Sequence, residues 1–226
     1  SDISHSQVAS KSQLYHYRER REENPQPGLT ELSGTPELFI PGDAGSYKQG
    51  RSIAAETACN EVNGISFDFF IAHFNEDFTA FHGRTLLDQS EYLNDAVRFI
   101  LSLYSSKHNA VLPKSVIVIA HSMGGMVARV MPTLPNYVEG SLNTIITLAA
   151  PHAAAPATFD GDIMSIYAST DKFWRSAFFD DVDSLAGQRL GNVSLISITG
   201  GGLDQMLPAD YTTLQGLVPM TNGFTV

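Results

Sequence analysis

Hydrolysis of an ester by a side-chain oxygen needs a hydroxyl, a base to take its proton, and fixed donors for the oxygen that becomes negative. Ser122 is the candidate hydroxyl. It lies within Ala120-His121-Ser122-Met123-Gly124-Gly125, after the apolar run Val116-Ile117-Val118-Ile119 and before Met126-Val127-Ala128-Arg129-Val130-Met131, which reads as a helix. A serine at a sharp turn from strand to helix is held in a strained backbone conformation, and the chain on either side must approach closely, so small neighbours are required. Gly124 supplies the second glycine of the Gly-x-Ser-x-Gly pattern, and Ala120 stands in place of the first. The arrangement predicts a nucleophile elbow with Ser122 at its tip.

An activated serine implies an oxyanion hole built from the N–H of the following residue, here Met123, and one N–H from the loop after an earlier strand. Pro41-Gly42-Asp43-Ala44-Gly45-Ser46 follows the strand Leu38-Phe39-Ile40 and is rich in small residues, so the amide of Asp43 or of Ala44 is the second donor, with an ordinary strand-to-helix turn as the bland alternative. No Gly-Lys-Ser/Thr follows, which excludes a phosphate loop. The orienting acid is expected after the nucleophile, at the end of a later strand. Asp204 fits, because Gly200-Gly201-Gly202 after Leu195-Ile196-Ser197-Ile198 lets the chain turn toward the ligand crevice of an α/β sheet; Asp210 is the rival. The base should be a histidine after the acid, yet His5, His16, His73, His82, His108, His121 and His152 all precede Asp204. His152, at the end of the Ile145-Ile146 strand, is read as a pocket-lining or loop-fixing residue, with general base as the lesser reading. Gly42, Ala44, His121 and His152 are the candidate pocket residues. No His, Asp and Glu cluster has metal-ligand spacing, and ester hydrolysis needs no cofactor.

These residues need a scaffold that delivers strand ends to one edge. Short apolar runs at Glu37–Ile40, Ser66–Ala72, Ser115–Ala120, Thr144–Ala149 and Val193–Thr199 alternate with longer amphipathic stretches, the pattern of helices packed on a largely parallel sheet. Tyr47–Val62 reads as a helix. Thr85–Tyr104 reads as a stronger one, with Leu86, Leu93, Val97, Ile100 and Tyr104 on a single stripe. The irregular Ile163–Ala186, with Trp174 beside Phe173, Phe178 and Phe179, is either an aromatic cap over the site or a packing helix. The fold class expected is the α/β-hydrolase fold, a mostly parallel sheet with helices on both faces, incomplete at the C-terminus. The domain runs over 35–226 behind a polar, partly ordered lead-in over 1–34 that carries Arg18, Arg20, Arg21, Glu22, Glu23, Pro25 and Pro27.

Composition narrows the function classes. The 226 residues include 43% hydrophobic ones, enough for one substantial core. A net charge of −10 with 14 Lys and Arg argues against nucleic acid as a partner. One cysteine, Cys59, excludes an internal disulfide and a cysteine-based zinc site, and is read as a small apolar helix residue. No apolar run reaches the roughly 18 residues of a membrane helix, and the first residues lack the charged and apolar regions of a signal peptide.

The strings Leu38-Phe39-Ile40-Pro41-Gly42-Asp43-Ala44-Gly45-Ser46-Tyr47-Lys48-Gln49 and Arg51-Ser52-Ile53-Ala54-Ala55-Glu56 resemble the glycosylphosphatidylinositol (GPI) inositol-deacylases, of fungal type. Phe74-Asn75-Glu76-Asp77-Phe78-Thr79-Ala80-Phe81-His82-Gly83, the elbow, Pro135-Asn136-Tyr137, Asn143-Thr144-Ile145-Ile146-Thr147-Leu148 and Pro151-His152 continue the match from about Tyr15 onward. The resemblance implies a serine esterase that removes the acyl chain from the inositol of newly made GPI-anchored proteins, in the endoplasmic reticulum membrane with this domain in the lumen. Ser122 would be its nucleophile and Asp204 its acid. The base histidine and the membrane-spanning portion would lie past Val226, making this chain a luminal-domain fragment with little activity by itself. Asp43 and Ala120 depart from the family's usual Asn and Gly. A generic lipase or thioesterase, or a noncatalytic lipid-binding module, are the competing functions. Asn192-Val193-Ser194 is a glycosylation sequon compatible with the lumen.

Overall fold

The computed structural model describes residues 12–17, 32–59, 64–75, 82–104, 111–156, 160–181 and 183–226. Seven strands form one sheet: β1 (Gln13–His16), β2 (Thr35–Ile40), β3 (Phe67–His73), β4 (Val116–His121), β5 (Leu142–Leu148), β6 (Ser194–Ile198) and β7 (Gly223–Thr225). Their spatial order is β1-β3-β2-β4-β5-β6-β7, and every pairing is parallel except that of β1 with β3. The five strands expected from apolar runs are all present, each displaced by one or two residues. Two were not expected. β1 arises inside the segment read as a lead-in and adds an antiparallel edge to the same sheet, so the sheet begins well before residue 35. β7 is three residues long and offers no periodicity to read.

The helices are α1 (Arg51–Cys59), α2 (Gly83–Ser102), α3 (Met123–Val130), α4 (Gly161–Arg175) and α5 (Leu185–Leu190). The helix expected over Tyr47–Val62 opens with a 3₁₀ turn, Tyr47–Gly50, capped by the Ser46 side chain, and continues as α1; positions 60–62 are outside the described residues. On α2, the stripe Leu86, Leu93, Val97 and Ile100 is buried, each such side chain stabilising the fold by about 1.5–3 kcal/mol. The larger core lies on the sheet face that receives α2, α3, α4 and α5, where Val116, Val118 and Ala120 of β4 meet Met126, Val127, Val130 and Trp174. On the other face α1 brings Ala54 and Ile53 against Phe39, Phe69, Ile71 and Ile119. Among the described residues, helices therefore occupy both faces, four on one and one on the other. Among the described residues no helix is long and apolar enough to cross a membrane.

The segment expected as either cap or packing helix resolves as packing. Ile163, Tyr167 and Trp174 of α4 are buried in the main core, and the chain then runs through a π-helical turn, Ser176–Asp180, into α5.

Candidate active site

Register brings three strand ends together. Ala120 of β4 lies beside Ile40 of β2, and His121 lies beside Leu148 of β5, so the loops that leave β2 and β5 flank the residue that follows β4. That residue is Ser122. Its backbone sits at φ 51° and ψ −126°, a left-handed conformation costing of order 1–3 kcal/mol for a residue with a Cβ. The neighbours hold it there: the Ser122 N–H donates to Leu148 O at 2.8 Å, and the Gly125 N–H donates to Ser122 O at 2.9 Å. A Cβ on Gly124 would lie 2.6 Å from Pro41 O, and one on Gly125 would lie 2.4 Å from the Ala150 Cβ, so both positions admit only glycine at this spacing. The Ser122 hydroxyl makes no capping bond to α3, which leaves it available for chemistry.

Opposite Ser122 is the turn after β2. The Gly45 N–H donates to Gly42 O at 2.9 Å, closing a turn whose third position, Ala44, has φ 48° where a glycine is usual. The closing bond uses neither the Asp43 nor the Ala44 amide. Gly42 is buried against Ser122: a Cβ there would lie 2.9 Å from Ser122 Cβ and 2.9 Å from His121 Nδ1. Met123 is the first residue of α3, so its N–H has no acceptor within the helix and lies at the positive end of the helix dipole. Both expected sources of oxyanion donors thus border Ser122. Of the two residues that compete for the second donor, Asp43 is half-buried and Ala44 exposed.

The two candidate acids sit in different settings. Asp204 Oδ1 accepts the Met206 and Leu207 N–H groups at 2.9 and 3.0 Å, which fixes the loop after β6, and its charge reaches His121. Asp210 is exposed in the 3₁₀ turn Ala209–Thr212. His121 has its pKa lowered by burial, an effect that Asp204 opposes, and its Nδ1 is buried with no hydrogen-bond partner among the described residues.

His152 is anchored away from solvent, 2% exposed, with Nε2 2.8 Å from Thr147 Oγ1. Because that hydroxyl also donates to Ile196 O, the ring presents Nε2–H to it, the neutral tautomer. Burial, and secondarily the Arg129 charge, hold the pKa of His152 well below the ordinary histidine value. These contacts tie His152 to β5 and to α3. Among the described residues, no histidine is hydrogen-bonded to Ser122 Oγ.

The residues behind this loop escaped the sequence reading. Arg129 of α3 is fully buried, donates to His152 O at 3.1 Å and pairs with Asp171 of α4 at 2.5 Å, while Trp174 Nε1 donates to Arg129 O at 2.9 Å. Tyr167 donates to Pro151 O at 3.0 Å. A buried guanidinium must be paired, and here its partners tie α4 to the loop after β5. The only hint in sequence is an arginine inside an otherwise apolar helix. Among the described residues no group of three or more His, Cys, Asp or Glu side chains is placed to hold a metal ion.

Comparison with known proteins bears on the family and the fold. Residues 31–226 match the model of the PGAP1-like alpha/beta domain family. The chain is 56% identical to a GPI inositol-deacylase of Debaryomyces hansenii over 100% of its own length and 24% of the relative's. It is 49% identical to one of Phaeosphaeria nodorum over 100% of this chain and 23% of that protein. The chain thus spans about a quarter of the length of these relatives. Among solved structures, it is similar to the Bacillus licheniformis lipase BlEst2, with TM-score 0.54, 16% identity, and 93% and 90% of the two chains covered. An esterase from Thermogutta terrifontis gives TM-score 0.56 at 14% identity, with 95% and 77% covered. Likeness at this identity carries the fold alone, which is that of the α/β-hydrolases.

Proposed function

We propose, from the premise that this chain belongs to the PGAP1-like family, that it carries the serine-esterase centre of a GPI inositol-deacylase. Ser122 Oγ attacks the carbonyl of the acyl ester on inositol; the inositol oxygen leaves with a proton, and water then releases the fatty acid from the acyl-serine. Met123 and the turn 42–45 donate to the oxyanion, and Asp204 orients the base. We assign the base to a histidine past Val226 and the domain to 35–226 with β1 added at its edge. The site lies in the lumen of the endoplasmic reticulum, where the whole protein is held by membrane segments beyond this chain and meets GPI-anchored proteins. The exposed sequon at Asn192, in the turn before β6, supports that address.

One observation carries the reading: Ser122 is held at φ 51° between the donor turn and the start of α3, and strain of this kind persists where chemistry uses it. The test is labelling of the natural full-length protein with a fluorophosphonate, alongside cleavage of acyl-inositol GPI, triglyceride and thioester substrates. Labelling that vanishes in Ser122→Ala, with preference for acyl-inositol, is expected. Labelling that survives in Ser122→Ala removes the nucleophile, and preference for triglyceride or thioester makes the protein a general lipase or thioesterase.

A further inference from the structure

The turn that faces Ser122 has its own brace. Gln49, in the 3₁₀ turn Tyr47–Gly50, accepts the Gly42 N–H on Oε1 at 3.0 Å. The same carboxamide lies against the far end of the turn, where a Cβ on Gly45 would fall 2.6 Å from Gln49 Oε1 and 2.8 Å from its Cδ. Gly42 and Gly45 are the two residues whose backbone bond closes the turn, so one side chain touches both of its ends. The brace is itself anchored. The Gln49 N–H donates to Ser46 O at 3.0 Å, and the next residue, Gly50, is pressed on the Phe39 ring of β2, where a Cβ would lie 2.8 Å from Cδ1.

We propose that Gln49 is a positioning residue for the oxyanion hole: by engaging the Gly42 N–H and filling the space under Gly45, it holds the 42–45 turn at the distance from Ser122 that stabilises the tetrahedral intermediate. The physical reason is that Ala44 keeps φ 48°, a conformation that residues with a Cβ leave readily, and a donor stabilises an oxyanion only when it is in place before charge develops. Without Gln49 the Gly42 N–H loses its acceptor, the space under Gly45 opens, and the turn relaxes. The proposal rests on Ser122 being the nucleophile.

The test is the second-order rate of fluorophosphonate labelling at Ser122 in the natural full-length protein, for wild type, Gln49→Ala and Gln49→Glu, with the melting temperature of each. The phosphonyl oxygen enters the oxyanion hole as the bond forms, so the rate reads the hole directly. Gln49→Ala is expected to label about tenfold to a hundredfold more slowly at a nearly unchanged melting temperature. Gln49→Glu, which keeps an acceptor at the Oε1 position, is expected to label faster than Gln49→Ala. On a soluble ester the loss should fall on kcat rather than KM. Wild-type labelling by Gln49→Ala overturns the proposal, as does a slow Gln49→Ala whose melting temperature falls in step or which Gln49→Glu does not exceed. Wild-type labelling that persists in Ser122→Ala is a different failure, that of the nucleophile assignment.

Discussion

Replacing Gly42 with alanine adds one methyl group between the 42–45 turn, proposed to donate to the oxyanion, and Ser122. That carbon would lie 2.9 Å from Ser122 Cβ, 2.9 Å from His121 Nδ1 and 3.2 Å from His121 O. Ordinary contact between such atoms is about 3.5–4.0 Å, so the turn must retreat by roughly 0.6–1 Å. The atoms it meets are the elbow itself and the buried Nδ1 edge of the half-buried His121 ring, neither of which yields as a free side-chain end would. A donor set at about 2.9 Å from the oxyanion would then lie beyond roughly 3.5 Å, past useful hydrogen bonding. Loss of one such donor lowers kcat by about 10²–10³, or some 3–4 kcal/mol of transition-state stabilisation. Overpacking also costs about 1–3 kcal/mol of fold stability, so the measurement is made well below the melting temperature with the folded fraction checked by circular dichroism. Fluorophosphonate labelling and turnover of a soluble ester, in the natural full-length protein, are the assays. Gly42→Ala within threefold of wild type in both would refute the placement of this turn as the oxyanion hole.

Asp204→Asn keeps the acceptor for the Met206 and Leu207 N–H groups, so the loop should persist while the charge is lost. The expectation is a fall in kcat on the order of 10³–10⁴ at an unchanged melting temperature, against little change for Asp210→Asn; the reverse ranking moves the acid to Asp210. A third expectation concerns pH. Burial raises the Glu37 pKa from 4.5 to about 7, and its Oε2 has no hydrogen-bond partner among the described residues. An acid whose pKa is higher in the folded state opposes folding as it ionises, so stability declines as pH rises from about 4.5 to about 7 and stays low above that. The full linkage is an upper bound of about 3 kcal/mol, lowered by solvent screening. Glu37→Gln should therefore melt above wild type at pH 8, with an advantage that shrinks toward pH 4.5; an advantage independent of pH means Glu37 is not the titrating group.

Much of the site was legible because its key parts are neighbours along the chain. The elbow needs a buried strand, a strained serine and small flanking residues within ten positions, and each leaves its mark in residue type. Chain order and glycine content narrow the acid to Asp204 or Asp210; in the structure the charge of Asp204 reaches His121, whereas Asp210 is exposed in a 3₁₀ turn. His152 was ambiguous for a different reason. Its role depends on Thr147, Ile196 and Arg129, which register and helix packing bring to it from three elements. The brace at Gln49 lies inside a string that resembles the family, yet no spacing rule distinguishes an exposed glutamine that accepts a turn amide from one that makes no such bond.

What the sequence by itself determined is the local code: apolar runs for the central strands, the amphipathic period of α2, and the small residues that permit the bend at Ser122. These follow from propensity, periodicity and sterics over a few residues. Tertiary structure alone decided that Gln13–His16 joins the sheet as an antiparallel edge, that Arg129 is buried and paired with Asp171, and that Glu37 is stranded without a partner for one oxygen. The reason is physical: strand pairing, burial of charge and the pKa of a carboxyl are set by what the rest of the molecule places around a residue. Those surroundings come into being only when distant segments pack.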